Sequence, residues 1–187
     1  MDALEALHTR NSVAMLEGPG PSAAQLEQIF SAGLRASDHR RLRPWKFLLI
    51  EGEAREDLGA LMLEVALQNN PDLSPEKQEK VLAKPLRAPT IIVVVAAVQA
   101  EALVKVPEIE QILSAGGAAQ LMMVAAHALG VGAIWRTGSI SFDRRFMQGL
   151  NLEEQDQIVG LLYMGTAKVI KPLEVQAVAP FVTRWSR

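Results

Sequence analysis

The spacing of apolar and polar residues predicts a chain that mixes helices with strands. Asp2 and Glu5 have the spacing of a capping box and predict a first helix. Ser22 and Gln25 predict the start of a second helix, with apolar residues at helical spacing at Leu26, Ile29, Phe30 and Leu34. A third, amphipathic helix is indicated by Leu58, Leu61, Met62, Val65 and Ala66. The dipeptide Ser74-Pro75 predicts a short fourth helix.

Four short apolar runs predict strands. They are residues 46–50, 90–98, 131–135 and 158–164, and the second of these is rich in β-branched residues. Ser141 is expected to cap a short helix between the last two strands. This order lacks the regular strand–helix alternation of a doubly wound parallel sheet, so a mixed fold of another type is predicted.

A long uncharged segment needs its own interpretation. Residues 111–135 contain no Asp, Glu, Lys or Arg, and a segment of that length can span a bilayer. Gly116, Gly117, Gln120 and His127 interrupt it, and no second such segment occurs. We therefore expect a buried central helix from residue 107 to residue 129, ended by Gly130, and no membrane span.

Composition narrows the class of protein. The chain has 187 residues, 49% of them hydrophobic and 21% charged, which is typical of one globular domain covering residues 1–187. The net charge of −2 argues against a nucleic-acid-binding protein. There is no cysteine, which excludes disulfides and Cys-ligated metals and fits a reducing compartment. The N-terminus has no apolar core of the signal-peptide type, and a cytoplasmic protein is expected.

Several common catalytic motifs are missing. The chain has neither a Gly-x-Gly-x-x-Gly turn nor a Gly-Lys-Ser/Thr loop. His8, His39 and His127 share no metal-ligand spacing, so no metal site is expected. Ser114 and Ser139 lack the context of a nucleophile elbow. We therefore expect no catalytic side chain of the nucleophilic type.

Three basic segments point instead to an anionic small molecule. They are residues 36–45, which hold Arg40, Arg41 and Arg43 before Pro44-Trp45, and the two short runs Arg10-Asn11-Ser12 and Trp135-Arg136-Thr137. Arginine offers forked donors that match phosphate, and serine and threonine add hydroxyl donors. Together the segments predict a phosphate-bearing cofactor held by residues scattered along one domain.

The ordered set of these motifs resembles the flavin-dependent nitroreductase family, and within it the small YdjA-like bacterial subgroup. The motifs are Arg10-x-Ser12, Arg35-x-x-Asp-His39, Pro44-Trp45, the Ala- and Gly-rich long helix, and Gly132 to Thr137. The resemblance implies an α+β fold with a mainly antiparallel central sheet flanked by helices. It also implies an intertwined homodimer that binds FMN at the subunit interface and takes electrons from NADH or NADPH.

The resemblance assigns residues to the cofactors. For FMN these are Arg10, Asn11, Ser12, Trp135, Arg136 and Thr137, with Arg35 and His39 reaching over from the partner subunit. For the nicotinamide donor they are Ala125, Ala126, His127, Ala128, Leu129 and Gly130. The tail from about residue 172, with Phe181 and Trp185, is expected to pack on the partner.

The implied reaction is carried by the flavin. NAD(P)H would give up hydride and leave, and a nitroaromatic or quinone-type acceptor would then bind at the same face, which is ping-pong turnover. Two positions where the family commonly has a cation hold Asn11 and Ala14, and Arg43 replaces a usual Gln. Two alternatives therefore stay open: a redox-impaired flavin-binding protein, and a flavin enzyme of the same fold with another reaction.

Overall fold

The computed structural model describes residues 1–186 and contains helices on both sides of a sheet. The helices are α1 (Ala3–Thr9), α2 (Ala23–Gly33), α3 (Ala54–Asn69), α4 (Pro75–Leu82), α5 (Glu108–Ala128) and α6 (Arg144–Gly149). The strands are β1 (Leu16–Glu17), β2 (Trp45–Glu51), β3 (Thr90–Ala96), β4 (Gly132–Arg136) and β5 (Gln157–Ala167). Short 3-10 turns cover His39–Arg41, Pro85–Arg87, Ala100–Ala102, Ser139–Phe142 and Ala179–Phe181.

All pairings in the sheet are antiparallel. Strand β5 pairs with β3, β4 and the short β1, and β2 pairs with β3. In β4 the register places Ile134 opposite Tyr163 and Arg136 opposite Leu161. The predicted α+β fold with a mainly antiparallel sheet is therefore confirmed, with β1 as a strand that the sequence pattern did not indicate.

Strand β3 shows why the sheet is covered on both faces. Its side chains alternate between two clusters and are all buried. Ile91, Val93 and Val95 pack in the cluster that contains α3 and α6 residues, whereas Ile92 and Val94 pack in the cluster that contains α2 and α5 residues. Each such side chain stabilises the fold by about 1.5–3 kcal/mol relative to exposure. The continuous apolar run of β3 in the sequence reflects this burial on two sides.

Local capping signals set several helix ends. The capping boxes Asp2/Glu5 and Ser22/Gln25 are both present. The predicted cap at Ser141 is wrong, because Ser141 lies in a 3-10 turn and the Asp143 carboxylate accepts the capping hydrogen bond from Arg145 N. Gly130 follows α5 with a φ of 76°, the left-handed conformation that glycine adopts without strain.

Helix α5 is not buried on all sides, which corrects the expectation of a buried central helix. Its inner face holds Ala115, Ala119 and Met122, all fully buried. On its outer face Ile109 is 59% exposed and Leu113 is 66% exposed. No helix in residues 1–186 has both the length and the apolar character needed to cross a bilayer. Large apolar side chains therefore remain exposed on the outer face of α5.

The C-terminal tail runs along the surface without regular structure up to the turn at residues 179–181. Residues 168–186 are almost entirely exposed, including Phe181 and Trp185. Contacts tie the start of the tail to the body: Lys168 N donates to Met15 O at 3.0 Å, and Asn11 Nδ2 donates to Lys171 O at 2.6 Å.

Candidate functional site

The first part of the site is a cavity of about 370 Å3 at the end of strand β4, here called the β4 cavity. Three cations line it, namely Lys84, Arg87 and Arg136, together with Tyr163 and Thr137. Among residues 1–186, no acidic residue lines this cavity. Lys84 and Arg87 come from the turn before β3, and antiparallel pairing of β4 with β5 brings Arg136 to the same cavity.

The Arg136 guanidinium has unused donor capacity. Its Nε is buried and has no hydrogen-bond partner within residues 1–186. Its Cζ lies 5.5 Å from the ring centroid of Tyr163, a cation–π distance. A buried donor without a partner is uncommon in folded proteins, and in a cavity it indicates a place for an acceptor from a ligand.

The pKa of Tyr163 depends on its burial and on the charges around it. Burial raises the pKa of the Tyr163 hydroxyl, and the positive charges of Arg136 and Arg87 oppose that rise. Both guanidinium groups therefore lie close enough to act on the phenol electrostatically. A tyrosine is already protonated at neutral pH and the shift is upward, so the phenol has a proton that it can donate in a hydrogen bond.

Trp135 belongs to the opposite face of β4. Its indole packs against the α5-side core, and Nε1 donates to Val159 O at 3.3 Å. The ring also lies directly against Gly160, where no Cβ would fit. The side chain of Trp135 is thus committed to packing, and Trp135 lines the cavity as the neighbour of Arg136 and Thr137 in the chain.

The second part of the site is the segment after α1. Val13 N donates to Ala133 O at 2.9 Å, so this segment runs beside β4. Arg10 Nη1 contacts Ser12 Oγ at 3.4 Å. The Asn11 amide nitrogen donates to the tail at Lys171 and therefore holds the tail in place.

A second cavity, of about 460 Å3, lies between this segment, the end of α5 and the tail, and is called here the α5-end cavity. Of the residues assigned to the nicotinamide donor, His127 and Gly130 line it, whereas Ala126 is fully buried. Thr9 Oγ1 donates to Glu5 O at 2.6 Å and lies 2.9 Å from His127 Nε2. Since the hydroxyl has one proton, His127 Nε2 must be the donor in the second contact.

The third part is a groove of about 650 Å3 beside the outer face of α5, called here the α5 groove. Arg35 and His39 line it together with Glu110, Leu113 and Gln120. His39 Nδ1 lies 2.6 Å from Glu110 Oε2. The two cavities and the groove share no lining residue. Within one chain, the residues predicted for the flavin are thus divided among three places.

The loop that carries His39 is backbone-strained. Arg40, Arg41 and Arg43 all have positive φ, at 63°, 56° and 51°. Each such residue costs on the order of 1 kcal/mol or more, and such strain tends to be kept at functional sites. Side chains hold the loop: Asp38 Oδ2 accepts from Arg43 N, and Gln99 Nε2 donates to Leu42 O, both at 2.6 Å.

Sequence reasoning missed five residues that shape these places: Lys84, Arg87, Gln99, Glu110 and Tyr163. A signal was available for two of them, since Lys84 and Arg87 form a small basic cluster directly before a buried strand. Within residues 1–186, no group of three or more acidic or histidine side chains is arranged to hold a metal ion.

The fold and the cavities define a class of α+β protein with an antiparallel sheet and a cationic site at the end of one strand. A sequence model of the Nitroreductase family matches residues 9–166, and the chain belongs to this family. The match covers most of the chain, so the predicted membership is confirmed.

Relatives and solved structures agree with this membership. The chain is 42% identical over 185 residues to Escherichia coli YdjA, whose name assigns it provisionally to the NAD(P)H nitroreductases; the match covers 98% of this chain and 99% of YdjA. The predicted YdjA-like subgroup is therefore confirmed, and the chain is an oxidoreductase of this type.

Two solved structures share the fold. The nitroreductase-like family protein from Bacillus cereus has a TM-score of 0.83 at 20% identity, covering 99% of this chain and 96% of that one. A Desulfovibrio desulfuricans protein solved in complex with FMN, and provisionally described as a nitroreductase, has a TM-score of 0.73 at 21% identity, covering 98% and 96%.

Proposed function

We propose that this protein is an FMN-dependent NAD(P)H oxidoreductase that reduces nitroaromatic or quinone-type acceptors. The observation that carries the proposal is the β4 cavity, which Lys84, Arg87 and Arg136 line with no acidic residue among the described lining. The buried Nε of Arg136 has no hydrogen-bond partner among residues 1–186. The names of its relatives support the same assignment, since YdjA is named for NAD(P)H and the Desulfovibrio structure contains FMN.

The residues present fit this cofactor. FMN carries a phosphate and a ring that gains negative charge on reduction, and both are matched by arginine and lysine donors. Arg136 and Thr137 would hold it from the end of β4, and Arg10 and Ser12 from the segment beside β4. When bound, FMN supplies the hydride transfer that protein side chains cannot perform.

The side chains of the cavity have their own roles. Arg136 offers its unused Nε–H to an anionic or carbonyl oxygen, and Lys84 and Arg87 add positive charge. The Tyr163 phenol carries a proton at neutral pH, and burial raises its pKa further, so it can donate to an oxygen in the cavity. The apolar walls, such as Met62 and Leu161, limit the access of water and strengthen these interactions.

The working unit is a homodimer. Arg35 and His39 line the α5 groove, which shares no lining residue with the β4 cavity or the α5-end cavity. These two side chains would therefore contact the flavin of the partner subunit. The exposed Ile109 and Leu113 beside that groove would be covered in the dimer, and the tail with Phe181 and Trp185 would pack on the partner.

NADH or NADPH and the acceptor would use one open face in turn, which gives ping-pong kinetics. The nicotinamide region at residues 125–130 borders the α5-end cavity through His127 and Gly130. A cytoplasmic location would supply both nucleotides.

The test begins with the absorbance spectrum of the purified protein, followed by anaerobic mixing with NADH and with NADPH. We expect a flavin spectrum that bleaches rapidly with at least one nucleotide and recovers when a quinone or a nitroaromatic compound is added. A protein that takes up neither FMN nor any other flavin would refute the proposal. A flavin that is bound and yet is not reduced would instead support the redox-impaired alternative, which the neutral Asn11 and Ala14 favour.

A further inference from the structure

The outer groove of α5 contains a contact that the proposed function does not use. His39 Nδ1 and Glu110 Oε2 lie 2.6 Å apart, although the residues are 71 positions apart in sequence. His39 lies on the strained loop between α2 and β2, and Glu110 lies in the first turn of α5. Both side chains are about half exposed, at 50% and 44%, so the contact is not a consequence of tight packing.

The chemistry of this contact fixes the state of the histidine ring. An ionised carboxylate can only accept hydrogen bonds, so the proton must lie on His39 Nδ1. The other ring nitrogen, Nε2, is then left for a group outside the loop. A carboxylate that orients a histidine through one ring nitrogen is a common way to set the other nitrogen for a ligand.

The loop geometry adds a second reason to hold the ring. Three residues of the loop after His39 have positive φ. The Asp38 carboxylate braces the loop from within, and Gln99 and Glu110 tie the loop to neighbouring segments. Strain of this kind is retained where a particular orientation matters. Arg35 and Asp38 are the other charged groups that line the groove.

We propose that Glu110 is a positioning residue for the flavin site, which fixes His39 with its proton on Nδ1 and presents Nε2 to the cofactor of the partner subunit. This inference rests on the proposed function, because it takes His39 as a group that meets FMN. Glu110 itself acts through His39 and does not touch the cofactor.

The test uses four full-length variants: Glu110→Gln, His39→Ala, the double variant, and Glu108→Gln as the matched control. Glu108 lies on the same turn of α5 and is exposed, and its carboxylate Oε1 accepts a hydrogen bond from Gln157 Nε2 at 3.4 Å. The first measurement is the tautomer of His39 from 15N chemical shifts in flavin-free protein, at a pH where the ring is neutral. We expect the Nδ1-protonated form in the wild type and in Glu108→Gln, and a mixture of both forms in Glu110→Gln.

The second measurement is FMN affinity by fluorescence quenching after reconstitution. We expect Glu110→Gln to bind FMN about three- to tenfold more weakly, as for the loss of one net hydrogen bond. In the His39→Ala background the same change should have no further effect, because Glu110 acts only through His39.

The possible outcomes test the proposed function and the role of Glu110 separately. A wild type that binds no FMN would refute the proposed function, and the tautomer data would still decide the contact. A wild type that binds FMN while Glu110→Gln keeps both the tautomer and the affinity would refute the role of Glu110 alone. An equal loss of affinity with and without His39 would also refute it, because Glu110 would then act by another route.

Discussion

Replacing Arg136 with methionine should separate the stability of the protein from its affinity for FMN. The Arg136 Nε is buried without a partner among residues 1–186, and the guanidinium faces Tyr163. Binding sites commonly contain a group that favours ligand binding but lowers the stability of the ligand-free protein. We therefore expect Arg136→Met to weaken FMN binding while the flavin-free protein keeps its stability or gains some.

The magnitudes follow from the two contacts. An unsatisfied buried donor costs about 1–3 kcal/mol, and removing it recovers that amount. The lost cation–π contact with Tyr163 costs about 0.5–1 kcal/mol in the other direction. The net change is about 0–2.5 kcal/mol in favour of Arg136→Met, and each kcal/mol raises Tm by about 2–4 °C for a chain of this size. The lost bond to an anionic ligand costs about 1.5–3 kcal/mol, or about ten- to 150-fold in FMN affinity.

The assay is thermal unfolding of the flavin-free protein, together with titration of FMN and of riboflavin. Riboflavin lacks the phosphate, so a loss seen with FMN alone would place Arg136 at the phosphate, and an equal loss with both would place it at the ring or the ribityl chain. Lys77→Met is the matched control, because it removes one exposed positive charge from α4, away from the cavity lining. A variant that is destabilised by more than about 1 kcal/mol and that binds FMN normally would refute the reasoning.

Three further predictions concern assembly, redox potential and pH. Deleting the tail from Pro172 should release FMN and shift the protein towards monomer in light scattering; a flavin-loaded dimer after deletion would contradict the role of the tail. Ala14→Arg should raise the FMN midpoint potential and speed reduction by NAD(P)H, measured by spectroelectrochemistry and stopped flow, because a cation favours the reduced flavin. Hydrogen bonds from Arg145 and Asn69 hold the pKa of Asp143 well below its usual range. Its stabilising effect should be complete above the ordinary pKa of about 3.9 and should fall as pH drops below it. The Tm difference between wild type and Asp143→Asn should therefore shrink from pH 7 to pH 3, and a constant difference would argue against it.

Elements with local signals could be predicted from the sequence. The boxes at Asp2 and Ser22 depend on residues three positions apart, and β3 is marked by its continuous β-branched run. The two-residue β1 could not be predicted, since its existence depends on pairing with residues 166 and 167 of β5. The full burial predicted for α5 failed for a related reason, because apolar composition does not show whether a face is covered by the same chain or by another.

Some residues of the site could likewise be predicted from the sequence, and others could not. Arg136 and His39 could be predicted as site residues from their motifs, and they remain predictions until a ligand is bound. Their neighbours Tyr163 and Glu110 could not, because the pairing of β4 with β5 and the packing of the loop on α5 bring them close from distant positions in the sequence. A single sequence records which side chains exist, and only the fold records which of them share a cavity.

This distinction bears on whether the site is redox-impaired. In the sequence, the neutral residues Asn11 and Ala14 occupy two positions where the family commonly has a positive charge. In the folded protein, one cavity is lined by three cations, namely Lys84, Arg87 and Arg136, and by no acidic residue among residues 1–186. At a separation of about 4 Å a unit charge contributes about 1 kcal/mol in water and about 4 kcal/mol near a protein surface, so cations in a cavity outweigh an exposed position such as residue 14. If these cations already stabilise the reduced cofactor, Arg136→Met should lower the midpoint potential by more than Ala14→Arg raises it. The opposite order would mean that the β4 cavity does not hold the ring and that the charge missing at residue 14 does limit the enzyme.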